Sequence, residues 1–308
     1  MRNPSPILAT SRHIVRRSGE STFAVPPEFV GHSSQFRRWT VVGEDAPAVH
    51  TRFGVCALDP GGSVAAHVHS FEETFHVVDG QAELATPDGS FALRAGDYGL
   101  IPVGLPHAWR NQSHALARWA EMNAPQPRAR LAYDTFFVPE RPWMPPIAID
   151  VRDPRIRSFG HIEPSNMDVS RQTQDQLAVS ASMRTALLVY SGITVKMMVD
   201  SDLGAQLSTM FMVQYDPNGV AGHHDHPFEE TYLILEETVD AFFDGEAYHL
   251  TAGDTAFSGV GCVHRFSNPA NSTVRWVETQ APAPPPRHSY RFARDWEYLQ
   301  SQLEATRQ

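Results

Sequence analysis

Cysteine is scarce in this chain. Only Cys56 and Cys262 occur among 308 residues, which excludes a fold held by a disulfide framework. Long apolar runs are missing too, because no stretch approaches the ~20 residues of a membrane helix. Arg12, Arg16 and Arg17 stand near the N-terminus with no apolar run behind them, so no secretory signal is read there and a cytoplasmic location is expected. Positive charge is in deficit: the formal net charge of −10 argues against nucleic acid or an anionic membrane as partner. What remains, 42% hydrophobic and 19% charged residues, has the balance of a folded globular protein. The length suits two domains of ordinary size.

What is present is histidine in a pattern. His67 and His69 are separated by one residue, which puts both on one side of a β-strand. Glu73 follows four residues later and returns on the next strand to face them, and His107 completes the set. Three imidazoles and one carboxylate suit a divalent first-row metal ion. His224, His226, Glu230 and His264 lie 157 residues after these four and repeat their spacing. The same offset relates Asp59-Pro60 to Asp216-Pro217, Gly96-Asp97 to Gly253-Asp254, Asn111 to Asn268, and Arg118-Trp119 to Arg275-Trp276. A repeat of this length is a whole domain.

Within each copy, short apolar runs alternate with Gly, Pro and Asp turns, the pattern of an all-β sandwich or barrel. The expected organisation is an N-terminal arm over 1–40, a first domain over 41–127, a connector over 128–184, a second domain over 185–284 and a tail over 285–308. The arm is expected to pack on the first domain, as an extra strand or as an exchange arm in a dimer. A short helix is expected in 168–184. A second, amphipathic one is expected over 296–307, where Trp296, Leu299 and Leu303 share a face.

These motifs resemble those of the cupin superfamily, and the chain resembles a bicupin. Gly61, His67, His69, Glu73 and Gly80 match the first cupin motif, and Gly96, Pro102, Gly104, His107 and Asn111 the second. In the C-terminal half, Gly253, Gly261, His264 and Asn268 match the second motif, with Gly259 in place of proline. The first motif there keeps His224, His226 and Glu230 but has Asn218 and Glu237 where glycine is usual. The resemblance implies two tandem double-stranded β-helix barrels, all-β, with a short C-terminal helix, and two divalent metal ions. Having both ligand sets complete, the chain resembles the quercetinase-like and oxalate-decarboxylase-like bicupins.

Four protein ligands leave about two positions of an octahedral ion open, unlike a closed tetrahedral zinc site with cysteines. Fe(II) is favoured, with Mn, Ni, Cu or Zn as alternatives. The expected function is a non-heme dioxygenase taking a small oxygen-rich substrate (aromatic, enol or diketone-like) together with O2. The alternatives are a hydrolase or isomerase resembling ureidoglycine aminohydrolase, or a small-molecule binding protein. A monomer or homodimer is expected. Period-two alternation predicts the pocket walls: Phe53, Phe75 and Trp109 in the first barrel, and Met210, Met212, Ile234, Cys262 and Phe266 in the second. Tyr232 is the expected hydrogen-bonding or acid/base residue, with Gln214 beside it. Both cavities read as mostly apolar, the second as the more polar. His76, His223, Glu72 and Glu229 should face away from the metal, the two glutamates being fallback ligands if the register slips by one.

Overall fold

The computed structural model describes residues 11–150, 152–168, 191–284 and 291–292. Both expected helices, in 168–184 and 296–307, lie outside the described residues, apart from residue 168. The remainder is two curled β-sheets, of eleven and ten strands among the described residues, joined by short 3-10 turns. This is the tandem double-stranded β-helix architecture.

Each barrel is organised by one long strand, Arg52–His69 in the first and Thr209–Asp225 in the second. The first half of Arg52–His69 pairs with Ala117–Ala124 (Arg52 opposite Asn123, Leu58 opposite Ala117), and the second half with His107–Arg110. The strand therefore passes from one face of the barrel to the other, bending at Asp59-Pro60-Gly61-Gly62. Asn111 secures the bend: its amide donates to the Leu58 and Ala115 carbonyls, both at 2.8 Å. Asn268 does the same for Tyr215, Asp216 and Ser272. The two glycine departures fall where the backbone demands positive φ. Gly61 (+74°) is matched by Asn218 (+65°), and Gly80 (+71°) by Glu237 (+59°). Asparagine tolerates that region, whereas glutamate is strained there.

The barrels pack sheet against sheet. Trp39, Val41, Phe53, Val55 and Met122 of the first meet Leu233, Phe257 and Ala281 of the second. Leu100 of the first joins Met198, Met210, Met212 and Val277. This corrects three expected pocket walls: Phe53, Met210 and Met212 lie outside their barrels, in the domain interface. Cys56 and Leu58, and Phe211, Val213 and Tyr215, face inward instead. The interface buries the outer face of these strands, so both faces are apolar and alternation carries no sign of which is inside.

The arm also departs from expectation. Ser33–Val42 does pair with the long strand of the first barrel. The earlier strand His13–Arg16, however, crosses to the second barrel and pairs with Thr255–Ser258. The connector reciprocates: Phe159–His161 pairs with Asp97–Ile101 of the first barrel. Each exchanged segment brings a basic side chain to an equivalent aspartate, with His161 at 2.7 Å from Asp97 and Arg17, just after its strand, at 2.7 Å from Asp254.

Candidate metal centres

In the first barrel, His67 and His69 project from the end of the long strand, Glu73 from Glu72–Asp79, and His107 opens its strand directly across from His67. All four are buried. The three imidazoles present ligand atoms within 4.8 Å of one another, and Glu73 Oε2 lies 3.4 Å from His69 Nε2. Backbone carbonyls select the tautomer. The Nδ1 atoms sit 2.8 Å from Ala65 O, 2.7 Å from Phe71 O and 3.0 Å from Leu105 O, so each donates there and leaves Nε2 as the lone-pair atom.

Nε2 of His69, Nε2 of His107 and Oε1 of Glu73 are buried with no hydrogen-bond partner. Buried polar atoms without partners are costly, and the two imidazole nitrogens belong to one histidine cluster with Glu73 beside it. Burial lowers His67 and His69 to about 4 and also holds His107 well below its ordinary value, keeping all three neutral and able to ligate. Burial and nearby Glu121 raise the Glu73 carboxyl, an imbalance that a divalent cation at the imidazoles would relieve. The residues fit a metal ion.

The second barrel repeats the frame. His224, His226 and His264 have their ligand atoms within 4.8 Å, and their Nδ1 atoms face the carbonyls of Gly222, Phe228 and Cys262. Glu230 is held differently from Glu73. Its Oε2 lies 2.9 Å from His226 Nε2 and 3.2 Å from His264 Nε2, and it also accepts the Tyr232 hydroxyl. Its Oε1 accepts Gln280 Nε2 at 2.7 Å. Burial opposes ionisation of Glu230, but His226 and His264 outweigh it and lower its pKa.

Phe75 and Trp109 pack edge to face at 5.1 Å inside the first barrel, and Tyr232 and Phe266 lie 4.8 Å apart inside the second, with Ile234 and Cys262 in the same core. Gln214 is a correction: its amide points outward to Met167 O and Asp216 at 3.4 Å, because its strand is in the opposite register to the one expected. Burial raises the Cys262 thiol to about 12, so it is an inert core residue. It also groups with His13 and Asp244, yet Arg12 forks both oxygens of Asp244 at 2.7 and 2.8 Å.

The first barrel holds a buried ionic network that sequence reasoning missed. Arg38 bonds Glu121, Cys56 Sγ (3.4 Å) and Glu28 Oε1 (3.3 Å). Arg52 bonds the same Glu28 oxygen at 2.7 Å and Asn123 at 2.8 Å. Cys56 and Trp119 also reach Glu121, at 3.2 and 3.3 Å. Burial works against both charges, but Arg38 and Arg52 outweigh it to lower Glu121, and Glu121, Cys56 and Glu28 outweigh it to raise Arg38. The available signal was the repeated Trp-x-Glu of Trp119-Ala120-Glu121 and Trp276-Val277-Glu278, a carboxylate inside an apolar run.

Comparison with known proteins agrees with this architecture. A cupin-domain family profile matches residues 54–123 and 211–279. Quercetin 2,3-dioxygenase of Bacillus subtilis (strain 168) is 42% identical over 55 residues, 18% of this chain and 16% of that protein. The polyketide synthase CurC of Streptomyces cyaneus is 28% identical over 104 residues, 33% of this chain and 57% of that protein. The chain thus matches about a sixth of the first of these relatives and a little over half of the second. Among solved structures, salicylate 1,2-dioxygenase from Pseudaminobacter salicylatoxidans superposes with a TM-score of 0.63 at 13% identity, covering 90% of this chain and 86% of that one. An oxalate decarboxylase–formate complex from Lactobacillus farciminis gives 0.60 at 15%, covering 95% and 92%. With a cupin domain matched in each half, and the strands and histidines of each half in the corresponding places, the chain belongs to the cupin superfamily and is a bicupin.

Proposed function

We propose that this bicupin is a metal-dependent enzyme, a non-heme dioxygenase acting on a small oxygen-rich organic substrate. The observation that carries the reading is the pair of cysteine-free sets: in each barrel three buried histidines hold their ligand atoms within 4.8 Å of one another with a buried glutamate beside them, and in the first barrel Nε2 of His69, Nε2 of His107 and Oε1 of Glu73 have no hydrogen-bond partner. His67, His69, Glu73 and His107 would hold one ion, and His224, His226, Glu230 and His264 the other. A bound Fe(II) would supply open coordination positions and redox chemistry with O2. The likeness to a quercetin dioxygenase and a salicylate dioxygenase supports this class.

The protein's own residues do the rest. Phe71 stacks on His69 at 4.0 Å and fixes the ring plane, as Phe228 does for His226 at 3.9 Å. Arg52 lies over the Phe71 and Tyr133 rings at 5.7 and 5.9 Å, a cationic group beside the first centre suited to an ionised oxygen of the substrate. Tyr232 stays protonated, because burial and Glu230 raise its pKa, so it acts as a donor that orients Glu230.

The test is protein purified without oxygen or added metal, analysed for elements and screened for O2 uptake with flavonols, β-diketones and hydroxybenzoates. Iron at both centres with substrate-dependent O2 uptake is the expected result. Manganese- or zinc-loaded protein that turns over substrate without O2 would replace this reading with a hydrolase or isomerase.

A further inference from the structure

Glu72 and Glu229 each stand one residue before a proposed metal-ligating glutamate. Successive strand residues point to opposite faces, so Glu73 and Glu230 point into their barrels while Glu72 and Glu229 point across the domain interface. Both outward glutamates are buried, at 3% and 2% exposure. Glu72 accepts the backbone N–H of Gln206 (2.7 Å) and Leu207 (2.9 Å) and the hydroxyl of Ser208 (3.1 Å), all in the second barrel's half. Glu229 accepts the N–H of Val49 (2.8 Å) and His50 (3.0 Å) in the first. The two clamps are equivalent under the sequence repeat.

Each clamp grips the residues that lead into the other barrel's long strand. Ser208 is followed by Thr209, whose hydroxyl donates to Gln280 at 3.3 Å, and Gln280 donates to Glu230 at 2.7 Å. In the other direction, His50 leads through Thr51 to Arg52, which donates to Asn123 at 2.8 Å, and Asn123 is the cross-strand neighbour of Glu73. Arg52 and Thr209, and Asn123 and Gln280, are again equivalent positions. A path therefore runs from each proposed metal carboxylate to the other, ending in a side-chain hydrogen bond at Glu230 and in backbone strand pairing alone at Glu73.

We propose that Glu72 and Glu229 are positioning residues that couple the two metal centres, so that an ion in one barrel raises the metal affinity of the other. This rests on the metal-centre reading above. A carboxylate bonded to N–H groups makes charge-assisted hydrogen bonds, and a buried one cannot slip without leaving an acceptor unsatisfied. An ion that fixes Glu73 therefore fixes Glu72 on the same strand, and with it the start of the strand that carries Thr209. Coupling of this kind is reciprocal in binding free energy.

The test uses the full chain, stripped of metal and titrated with Co(II). His224→Ala isolates the first centre and His67→Ala the second. The product of the two stepwise wild-type binding constants should exceed the product of the two single-centre constants by about fivefold or more. Glu72→Gln and Glu229→Gln, each measured in all three backgrounds, should bring that ratio toward one. Should Glu72→Gln fail to fold, Ser208→Ala removes one donor to Glu72 and should move the ratio the same way by less. A ratio of one in the wild type overturns the proposal. So does a clamp variant that weakens a centre by the same factor in both backgrounds, which is the mark of a purely structural contact. A wild-type chain that binds no cobalt overturns the metal reading itself, so the two failures are told apart.

Discussion

Glu121 and Glu278 occupy the same place in the two barrels, each accepting a tryptophan indole N–H from two residues earlier, Trp119 and Trp276. Their surroundings differ in charge. Glu121 faces Arg38 and Arg52 and is ionised, whereas burial and neighbouring Glu230 raise Glu278 and favour its neutral form. Where the first barrel has Arg38 and Arg52, the second has Val195 and Thr209. Two copies of one metal-site frame thus sit on different interiors, one closed by an ion network and one by a neutral acid, a tyrosine and a glutamine. A shared ligand set fixes where an ion goes, and the shell behind it decides what the ion meets.

Four substitutions test this contrast. The largest effect is expected from Glu121→Gln, which leaves Arg38 without its main counter-charge and should cost about 3–5 kcal/mol in urea unfolding. Glu278→Gln, replacing a neutral acid by a neutral amide, should cost about 1 kcal/mol or less. Equal losses would mean the two interiors are electrostatically alike.

His76→Leu, which installs the residue the second barrel has at this place (Leu233), probes the interface. Burial, with His161 nearby, lowers His76 to about 4, and its Nδ1 has no partner. The folded pKa is depressed below the unfolded 6.5, so the unfolded chain takes up the proton first. Stability is intact above pH 6.5 and falls as pH drops toward 4. The substitution should recover about 3 kcal/mol of that loss, read as a flatter profile of unfolding free energy against pH. An unchanged profile would remove His76 as a source of acid lability. The smallest effect is Glu237→Gly, which restores the glycine found at position 80. Relief of the strained positive φ should stabilise by about 1 kcal/mol, visible as a modest rise in melting temperature.

The histidine sets were legible because ligation demands particular residue types at particular spacings, and period-two alternation turns spacing into geometry. Phe75, Trp109, Tyr232, Ile234 and Phe266 were legible for the same reason, since their strands follow the ligand positions directly. Phe53, Met210, Met212 and Gln214 were not, because the domain interface makes the outer face of those strands as buried as the inner. The Arg38–Glu121–Arg52–Glu28 network was hidden by distance: its members come from four separate segments, and no local pattern links them. The exchanged strand His13–Arg16 was misassigned because edge pairing leaves little mark on the sequence beyond a short alternating run.

That exchange bears on how the chain is made. The first barrel cannot complete its Asp97–Ile101 edge until Phe159–His161 has left the ribosome, well after Ala117–Ala124 has emerged. Residues 13–16 are made long before Thr255–Ser258 and must wait for that strand before they find their partner. An unpaired strand edge is a template for pairing with another chain, so the first half spends part of synthesis with an open edge and an unpaired strand that only later residues satisfy. Cutting the gene between the halves would yield two proteins, each carrying the strand the other needs.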